Sequence, residues 1–342
     1  MATRSENIGG CHSADACNCG DARSVTRAML DNLPPRIEHA ALLTLCGALR
    51  DLDYRFVTPT PATVARVNAR AGADWACDLR GVFGWSRKFR AELLSPSLFH
   101  AMRDAGVAMP DGEGWRSAVR VSALGGDLFV HSAYPTTAAD SVFFGPDTYR
   151  FCDAICGAVD GLAVTRAVDI CSGAGPGGIT VARLYPDADV LMTDINDRAL
   201  NYSRVNAAVA LLTSARAEHS NLLSGVDGDF DLIVANPPYI ADPARRTYRD
   251  GGGDHGAGLS RAIVDNALPR LRRGGRLVLY TGVAILGGID PFLATVTATL
   301  AGWGGRWTYR EVDPDVFGEE LEEPAYADAD RIAAVVLVAT KS

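Results

Sequence analysis

The residues with the clearest chemical meaning stand at the ends of four apolar segments. One of these, FDLIVANPPYI at residues 230–240, runs from Leu232 to Asn236 straight into two prolines and a tyrosine. Pro237 and Pro238 lack an N–H and fix φ, and each holds the residue before it extended. The rim they form carries carbonyls that no chain donor satisfies, and Asn236 adds a side-chain carbonyl beside them. Two fixed acceptors on one rim suit a planar –NH2 group, which has two donors in one plane. Holding both hydrogens directs the nitrogen's electron density out of that plane and stabilises the positive charge that builds during attack. Tyr239 offers a flat face for a conjugated group to stack on. An amide or aromatic amine is a poor nucleophile, so alignment with an electrophile is most of what the protein must provide. No His, Cys or metal is needed. The competing reading is a plain strand terminator with an exposed tyrosine.

Three other segment ends join this one. DICSGAGPGGI, residues 169–179, clusters glycine between a strand and a helix, where a backbone can approach a ligand closely. A dinucleotide and S-adenosylmethionine fit such a loop alike, and a tight turn without a ligand is the bland alternative. The next segment ends at Asp194 in LMTDIND, 19 residues beyond Gly175. Its carboxylate suits both hydroxyls of a ribose, while Asn196 is free to cap the helix that follows. The fourth end, HSNLL at 219–223, offers Asn221, whose amide can pair with an adenine edge.

These ends require strands that deliver them to one side of a sheet. From about residue 150 the rhythm is strand, turn, helix, repeated, with strands at RAVDI, ADVLMTDI, FDLIVANPP, GRLVLYTGVAI and RIAAVVLVA. Such alternation predicts an α/β fold with a mostly parallel sheet, helices on both faces and the site at the carboxyl ends of the strands. Residues 36–135 differ. Helical spacing at 36–54, a Pro-rich turn opening a helix at Thr60 or Thr63, and a helix opened by Ser95 or Ser97 lead into SAVRVSALGGDLFVHSA at 117–133, which alternates as a β-hairpin does. We read this part as a helical module closed by a small β-hairpin, with substrate recognition as its role. Residues 1–25 are expected to be a disordered tail, and its Cys11, His12, Cys17 and Cys19 lack the paired spacing of a metal site.

Composition narrows the partners. The 342 residues are 48% hydrophobic and 22% charged, and no apolar run is long enough to span a bilayer. A soluble, cytoplasmic protein is expected, with no membrane partner. Residues 1–150 hold 16 basic and 16 acidic side chains, whereas 151–342 hold 17 and 25, so the second half carries all of the net −8. That balance argues against a nucleic-acid substrate, and the local run WSRKFR at 85–90 is read as a solvated helix end. The stretch 313–330, DPDVFGEELEEPAYADAD, carries eight acidic side chains and no basic one. One reading lets Glu319, Glu320, Glu322 or Glu323 hold a cationic substrate. The other is a solvated loop.

Taken together, DICSGAGPGG, TDIND and FDLIVANPPYI, in this order and spacing, resemble class I S-adenosylmethionine-dependent methyltransferases. More narrowly they are similar to the small methyltransferase group that includes the release-factor glutamine methyltransferases. GPDTYRF at 145–151 and the Asp-Gly-Gly run within 248–282 strengthen the narrower likeness, which covers about 142–312. The resemblance implies a Rossmann-like, seven-stranded catalytic domain over 142–342 and S-adenosylmethionine as cofactor. It implies that Asp169, Gly173 and Gly175 line the methionine end, Asp194 the ribose and Asn221 the adenine, with Cys171, Ile195 and Leu222 also among the cofactor-binding residues. Asn236, Pro237, Pro238 and Tyr239 would orient the acceptor nitrogen, with Asn236 also reaching the cofactor. Thr148 and Tyr149, with Glu319 and Glu320 of the acidic stretch, are the candidate substrate contacts. Cys171 stands where Gly is commonest and Asn221 where Asp is usual, and the 36–135 module does not match the family's N-terminal domain. The function expected is methyl transfer to an amine, guanidine or amide nitrogen of a small metabolite or protein side chain. A base in ribosomal RNA or DNA is the alternative acceptor, and a non-catalytic sensor of S-adenosylmethionine or a nucleotide is the alternative of another class.

Overall fold

The computed structural model describes residues 37–342. The expected tail at 1–25, with its Cys and His residues, lies outside the described residues. The module begins with helices α1 (Ile37–Asp51), α2 (Pro61–Asn68), α3 (Leu79–Phe83) and α4 (Pro96–Asp104). Their starts follow from local chemistry. The Thr63 N–H donates to Thr60 Oγ1 at 3.2 Å and the Leu98 N–H to Ser95 Oγ at 3.3 Å, each cap preceding a proline in the first turn. Two hairpins follow: β1 (Ala108–Asp111) with β2 (Gly114–Ser117), and β3 (Val119–Leu124) with β4 (Asp127–Ser132). The second turns on Gly125 and Gly126, at φ +59° and +92°, the positive pair that a two-residue hairpin turn demands.

The basic run 85–90 is not a helix end. It lies beyond α3 and pairs through isolated bridges, Trp75 with Lys88 and Phe89 with Trp115. Phe89 is buried, while Lys88 and Arg90 lie over the Trp75 ring at 4.8 and 4.4 Å and Arg87 over Trp85 at 5.8 Å. The run is an irregular segment that turns at Ser86, φ +55°, and buries Ser86 and Phe89 while its cations stay on the tryptophan rings.

Beyond the hairpins come α5 (Pro146–Ala158), β5 (Arg166–Ile170), α6 (Pro176–Leu184), β6 (Asp189–Asp194), α7 (Asp197–Val209), β7 (Ala215–His219) and β8 (Phe230–Ala235). The chain ends with α8 (Gly258–Ala267), β9 (Leu271–Ile285), α9 (Pro291–Trp303), β10 (Arg306–Asp313) and β11 (Arg331–Thr340). The strands form one seven-stranded sheet in the order β10-β11-β9-β8-β5-β6-β7. Only β11 runs against the others, as an antiparallel partner of both β9 and β10. This is the largely parallel, Rossmann-like sheet expected for a class I methyltransferase. Its centre is buried on both faces: Val168, Ile233 and Leu277 on one and Ala167, Leu232, Val234 and Val278 on the other are all buried beneath the helices.

From β5 the chain moves outward to β6 and β7, then returns to place β8 on the other side of β5. The order reverses between β5 and β8, so the crevice opens at their carboxyl ends. DICSGAGPGG leaves β5 and Asn236-Pro237-Pro238-Tyr239 leaves β8 there. The described residues form one compact unit, in which α1 meets α7: Arg50 Nη1 donates to the Val209 carbonyl at 3.0 Å. Among the described residues no helix is long and apolar enough to cross a membrane.

Candidate active site

A cleft opens at this switch point, lined by Cys171, Gly173, Asp194, Ile195, Asn236, Pro237, Pro238 and Tyr239, with Thr148 beside them. Three of the four chemically informative strand ends therefore meet in one place. On the glycine side, Cys171 takes φ +58°, a conformation that costs a side chain and suits the glycine commoner there. Gly175 caps α6 at φ +84°, and a Cβ there would lie 2.9 Å from Met192 Sδ. The turn is thus closed to larger residues by shape and by dihedral.

Two carboxylates, Asp194 half-buried and Asp169 buried, organise this side. Asp194 Oδ2 accepts the Gly173 N–H at 2.9 Å and Oδ1 accepts the Asn196 N–H at 2.9 Å. Each oxygen keeps a further lone pair for a hydroxyl in the cleft. Asn196 caps α7 by accepting the Arg198 N–H at 3.0 Å, so Asp194 is free of that task. Burial raises the Asp194 carboxyl above the ordinary range, against the backbone N–H groups of Asn196, Gly173 and Ile195. Asp169 lies beneath the loop, 1% exposed, where its Oδ2 accepts the Gly178 N–H at 2.8 Å and its Oδ1 has no partner. Burial pushes its carboxyl up to about 8, the Gly178 N–H opposes, and the charge on Asp194 adds to the rise. Ile195 is an apolar side chain left 51% exposed in the cleft.

On the other side, the Asn236 side chain and the Pro237 carbonyl accept no hydrogen bond from the described chain. Tyr239 is buried. Its ring lies against Gly282 of β9, where a Cβ would stand 2.3 Å from the ring, and meets Phe317 edge-on at 5.8 Å between centroids. Behind it Asp147 is buried and accepts the Tyr280 hydroxyl at 2.5 Å and Arg150 Nη1 at 3.3 Å. Burial raises the Asp147 carboxyl, against those donors.

A strap, residues 136–143, crosses between the two sides. The Asn196 amide donates to the Asp140 carbonyl at 2.9 Å, Thr247 Oγ1 to the Ala139 carbonyl at 2.8 Å, and the Tyr248 hydroxyl to the Thr136 carbonyl at 2.7 Å. Ser141, Val142 and Phe143 of the strap line the cleft, as do Asn196, Asp147, Tyr248, Arg249 and Phe317. The sequence offered a hint of Asp147 alone, one residue before Thr148 in GPDTYRF.

Several expected residues stand elsewhere. Thr148 lines the cleft and closes the start of α5, its Oγ1 accepting the Gly145 N–H at 3.3 Å. Tyr149, one residue on, points toward the module, where its hydroxyl accepts the Thr58 N–H at 3.0 Å. Asn221 is exposed and Leu222, at φ +53°, packs against the core, and neither lines the cleft. Within the acidic stretch Glu319, Glu322 and Glu323 are exposed, and Glu320 is buried in an ion pair with Arg249. Its carboxylate is therefore occupied by the protein. The stretch is anchored to the loop after β8 by more than this pair. The Tyr326 hydroxyl accepts the Ala241 N–H at 2.9 Å and donates to the His255 carbonyl at 3.3 Å, and His255 Nε2 meets Asp328 Oδ1 at 2.9 Å. Its contribution to the cleft is Phe317, not a glutamate.

Residues 158–283 match the family model described as the methyltransferase small domain. The resemblance to the small methyltransferase group holds over this stretch. A release factor glutamine methyltransferase of Deinococcus radiodurans is 36% identical over 168 residues, 45% of this chain and 55% of that protein. A ribosomal protein uL3 glutamine methyltransferase of Neisseria meningitidis is 32% identical over 130 residues, 35% of this chain and 43% of that protein. The chain spans about half the length of the curated relatives it matches. A solved ribosomal protein L11 methylase from Lactobacillus delbrueckii subsp. bulgaricus is 20% identical, covering 59% of this chain and 82% of that one, with a TM-score of 0.39.

Proposed function

We propose that this chain, which carries a methyltransferase small domain, is an S-adenosylmethionine-dependent N-methyltransferase acting on an amine, guanidine or amide nitrogen of a protein side chain or small metabolite. One observation carries the reading: the unpaired acceptors of Asn236 and Pro237 line the same cleft as Cys171, Gly173 and Asp194. The side chains present fit the cofactor. Asp169 Oδ1 is a buried acceptor lacking a donor, which suits an ammonium group, and Asp194 keeps lone pairs for hydroxyls. Ile195 offers an apolar surface for a ring. When bound, S-adenosylmethionine supplies an electrophilic methyl on a sulfonium sulfur.

The remaining work falls to the protein. Asn236 and the Pro237 carbonyl hold the two hydrogens of the acceptor nitrogen, and Tyr239 braces the conjugated group it belongs to. Tyr239 is itself braced by Gly282 and Phe317, so the acceptor meets a rigid surface. The orientation replaces the loss of freedom that an untethered nitrogen would suffer at the moment of attack. Both relatives are, by name, glutamine methyltransferases of translation proteins, which favours a side-chain amide and fits a cytoplasmic setting. Residues 36–135 are assigned to substrate recognition and 142–342 to catalysis. A nucleic-acid base is the weaker reading, because a net charge of −8 repels phosphates. A sensor would have no use for an amine-holding rim.

The test starts with calorimetric titration of wild type and Asp194→Ala with S-adenosylmethionine, S-adenosylhomocysteine and NAD. Binding of the first two alone, lost in the variant, supports the reading. Binding of NAD, or of none, overturns it. Methyl-labelled cofactor is then supplied in a cell extract, and labelled protein is hydrolysed in acid. Methylamine, volatile once the hydrolysate is made alkaline, identifies an amide, and label that stays on the amino acids identifies an amine or guanidine.

A further inference from the structure

We propose that Asn206 is a positioning residue for the cofactor loop, and that through it the β3–β4 hairpin of the N-terminal module forms part of the cofactor site. The inference rests on the cofactor reading above.

Asn206 lies on α7 of the catalytic domain and is 0% exposed. Its Oδ1 accepts the Val130 N–H of β4 at 2.8 Å, and its Nδ2 donates to the Val130 carbonyl at 3.0 Å. β4 pairs with β3 on one edge only, so its other edge would leave these groups without a strand partner. One side-chain amide takes the partner strand's place. The second Nδ2 hydrogen donates to the carbonyl of Ala174, inside the glycine loop, at 2.8 Å. The orientation of the amide follows from these contacts, since reversing it would set N–H against N–H and oxygen against two carbonyls.

One turn earlier on α7, the buried Ser203 hydroxyl donates to the Gly173 carbonyl at 2.8 Å. Two successive loop carbonyls are thus drawn toward α7. A trans peptide carries its N–H opposite its carbonyl, so the Ala174 N–H is turned to the side away from the helix. It donates to no group of the described chain. The direction of this loop donor is therefore fixed by side chains outside the glycine motif. The hairpin reaches the cleft by a second route as well. The Ser132 N–H donates to the Val142 carbonyl at 3.1 Å and the Val142 N–H to Ser132 Oγ at 2.9 Å, which carries β4 into the strap that lines the cleft. A module assigned to recognition of substrate consequently also sets the shape of the cofactor loop.

Calorimetric titration of the full chain with S-adenosylmethionine tests this, using Asn206→Asp and Ser203→Ala. Asn206→Asp keeps the acceptor for the Val130 N–H and turns the donor to Ala174 into a second oxygen facing a carbonyl. Each variant is expected to weaken binding about tenfold or more at unchanged unit stoichiometry, the scale of one lost hydrogen bond. In wild type, saturating cofactor should also slow exchange of the Val130 amide hydrogen. Affinity within twofold of wild type in both variants overturns the inference. So does a fall in stoichiometry with affinity unchanged, which would mark a purely structural role, or Val130 exchange indifferent to the cofactor. If Asn206→Asp does not fold, Ser203→Ala and the wild-type exchange measurement decide the matter. Failure of wild type to bind S-adenosylmethionine strikes the cofactor reading instead.

Discussion

Binding of S-adenosylmethionine at pH 7 should release close to one proton, and Asp169 should be its source. Asp169 is wholly buried, its Oδ1 lacks a partner, and its carboxyl is pushed up to about 8. Burial is the main cause, and the Asp194 charge adds to it. A group of that pKa is about 0.9 protonated at pH 7 and about 0.1 protonated at pH 9. An ammonium brought to Oδ1 favours the ionised form and so opposes the rise that burial and the Asp194 charge produce. Titrations in buffers of different ionisation enthalpy measure the proton directly, as the slope of observed enthalpy on buffer enthalpy. A release of about 0.8 proton is expected at pH 7; at pH 9 Asp169 gives up only about 0.1 while the ligand's α-amino group, with an ordinary pKa of about 7.7–8.0, takes up about 0.9, so the slope reverses sign. Asp169→Asn should abolish the release and weaken binding. No release at pH 7, or equal release from the variant, refutes the assignment.

The same carboxyl sets a stability profile. Unfolded, Asp169 titrates near 3.9, so between about pH 4 and pH 8 the folded chain holds a proton that the unfolded chain has lost. Stability of the free protein therefore falls as pH rises through that window and levels off above it. The full effect is on the order of 5 kcal/mol, and it should flatten when the cofactor is saturating.

Further outcomes follow from the acceptor side. Gly282→Ala would put a Cβ 2.3 Å from the Tyr239 ring and force the ring aside by about 1 Å, a displacement that can cost about a hundredfold in rate. Transfer of labelled methyl to protein should fall by that order while cofactor affinity stays within twofold, and an unimpaired rate would mean that Tyr239 does not brace the acceptor. Asn236→Ala should lower transfer by about a hundredfold or more, as loss of one charge-stabilising contact does, and unchanged turnover would assign orientation to another residue. Glu320→Gln leaves Arg249 with Asp242 alone, 3.7 Å away, and should cost about 1–2 kcal/mol in denaturant unfolding, whereas Glu319→Gln, at an exposed site, should stay within about 0.5 kcal/mol. Equal effects from the two would contradict the ion pair as the role of Glu320.

The parts legible in the sequence were those whose signal is local. Apolar strands that end in Gly, Asp or Pro announce both their type and their carboxyl ends, and the Gly125–Gly126 turn announces a hairpin. β10 went unread because RWTYREVD is an edge strand that leaves every one of its residues exposed or only half-buried. Tyr149 was misplaced by one helical step: α5 begins at Pro146, so Asp147 and Thr148 face the cleft and the next residue turns about 100° toward the module. Asn221 was assigned by analogy among strand ends, but β7 stops at His219 and the chain turns at Leu222, leaving the amide in solvent. Glu320 was legible as an acidic side chain, but its ion pair was not. Its partner Arg249 lies 71 positions away, and no local pattern links them.

The two ends of the cleft are fixed by different physics, so damage to them should separate. At the cofactor end, main-chain groups are aimed by hydrogen bonds: Asp194 orders Gly173 and Asn196, and Asn206 and Ser203 order the loop carbonyls. Charge and protonation govern that end. At the acceptor end, shape governs. Tyr239 fits only because Gly282 has no side chain, and the Pro238 carbonyl lies where a Cβ on Gly251 would stand 2.8 Å away. A charge-preserving change of volume there should leave affinity for the cofactor intact and lower transfer. An isosteric change of charge at Asp169 or Asp194 should alter affinity and its pH dependence first. If volume changes at Gly282 weakened cofactor binding as much as transfer, the two ends would be one mechanical unit, and the strap from Thr136 to Phe143, bonded to both, would be the element joining them.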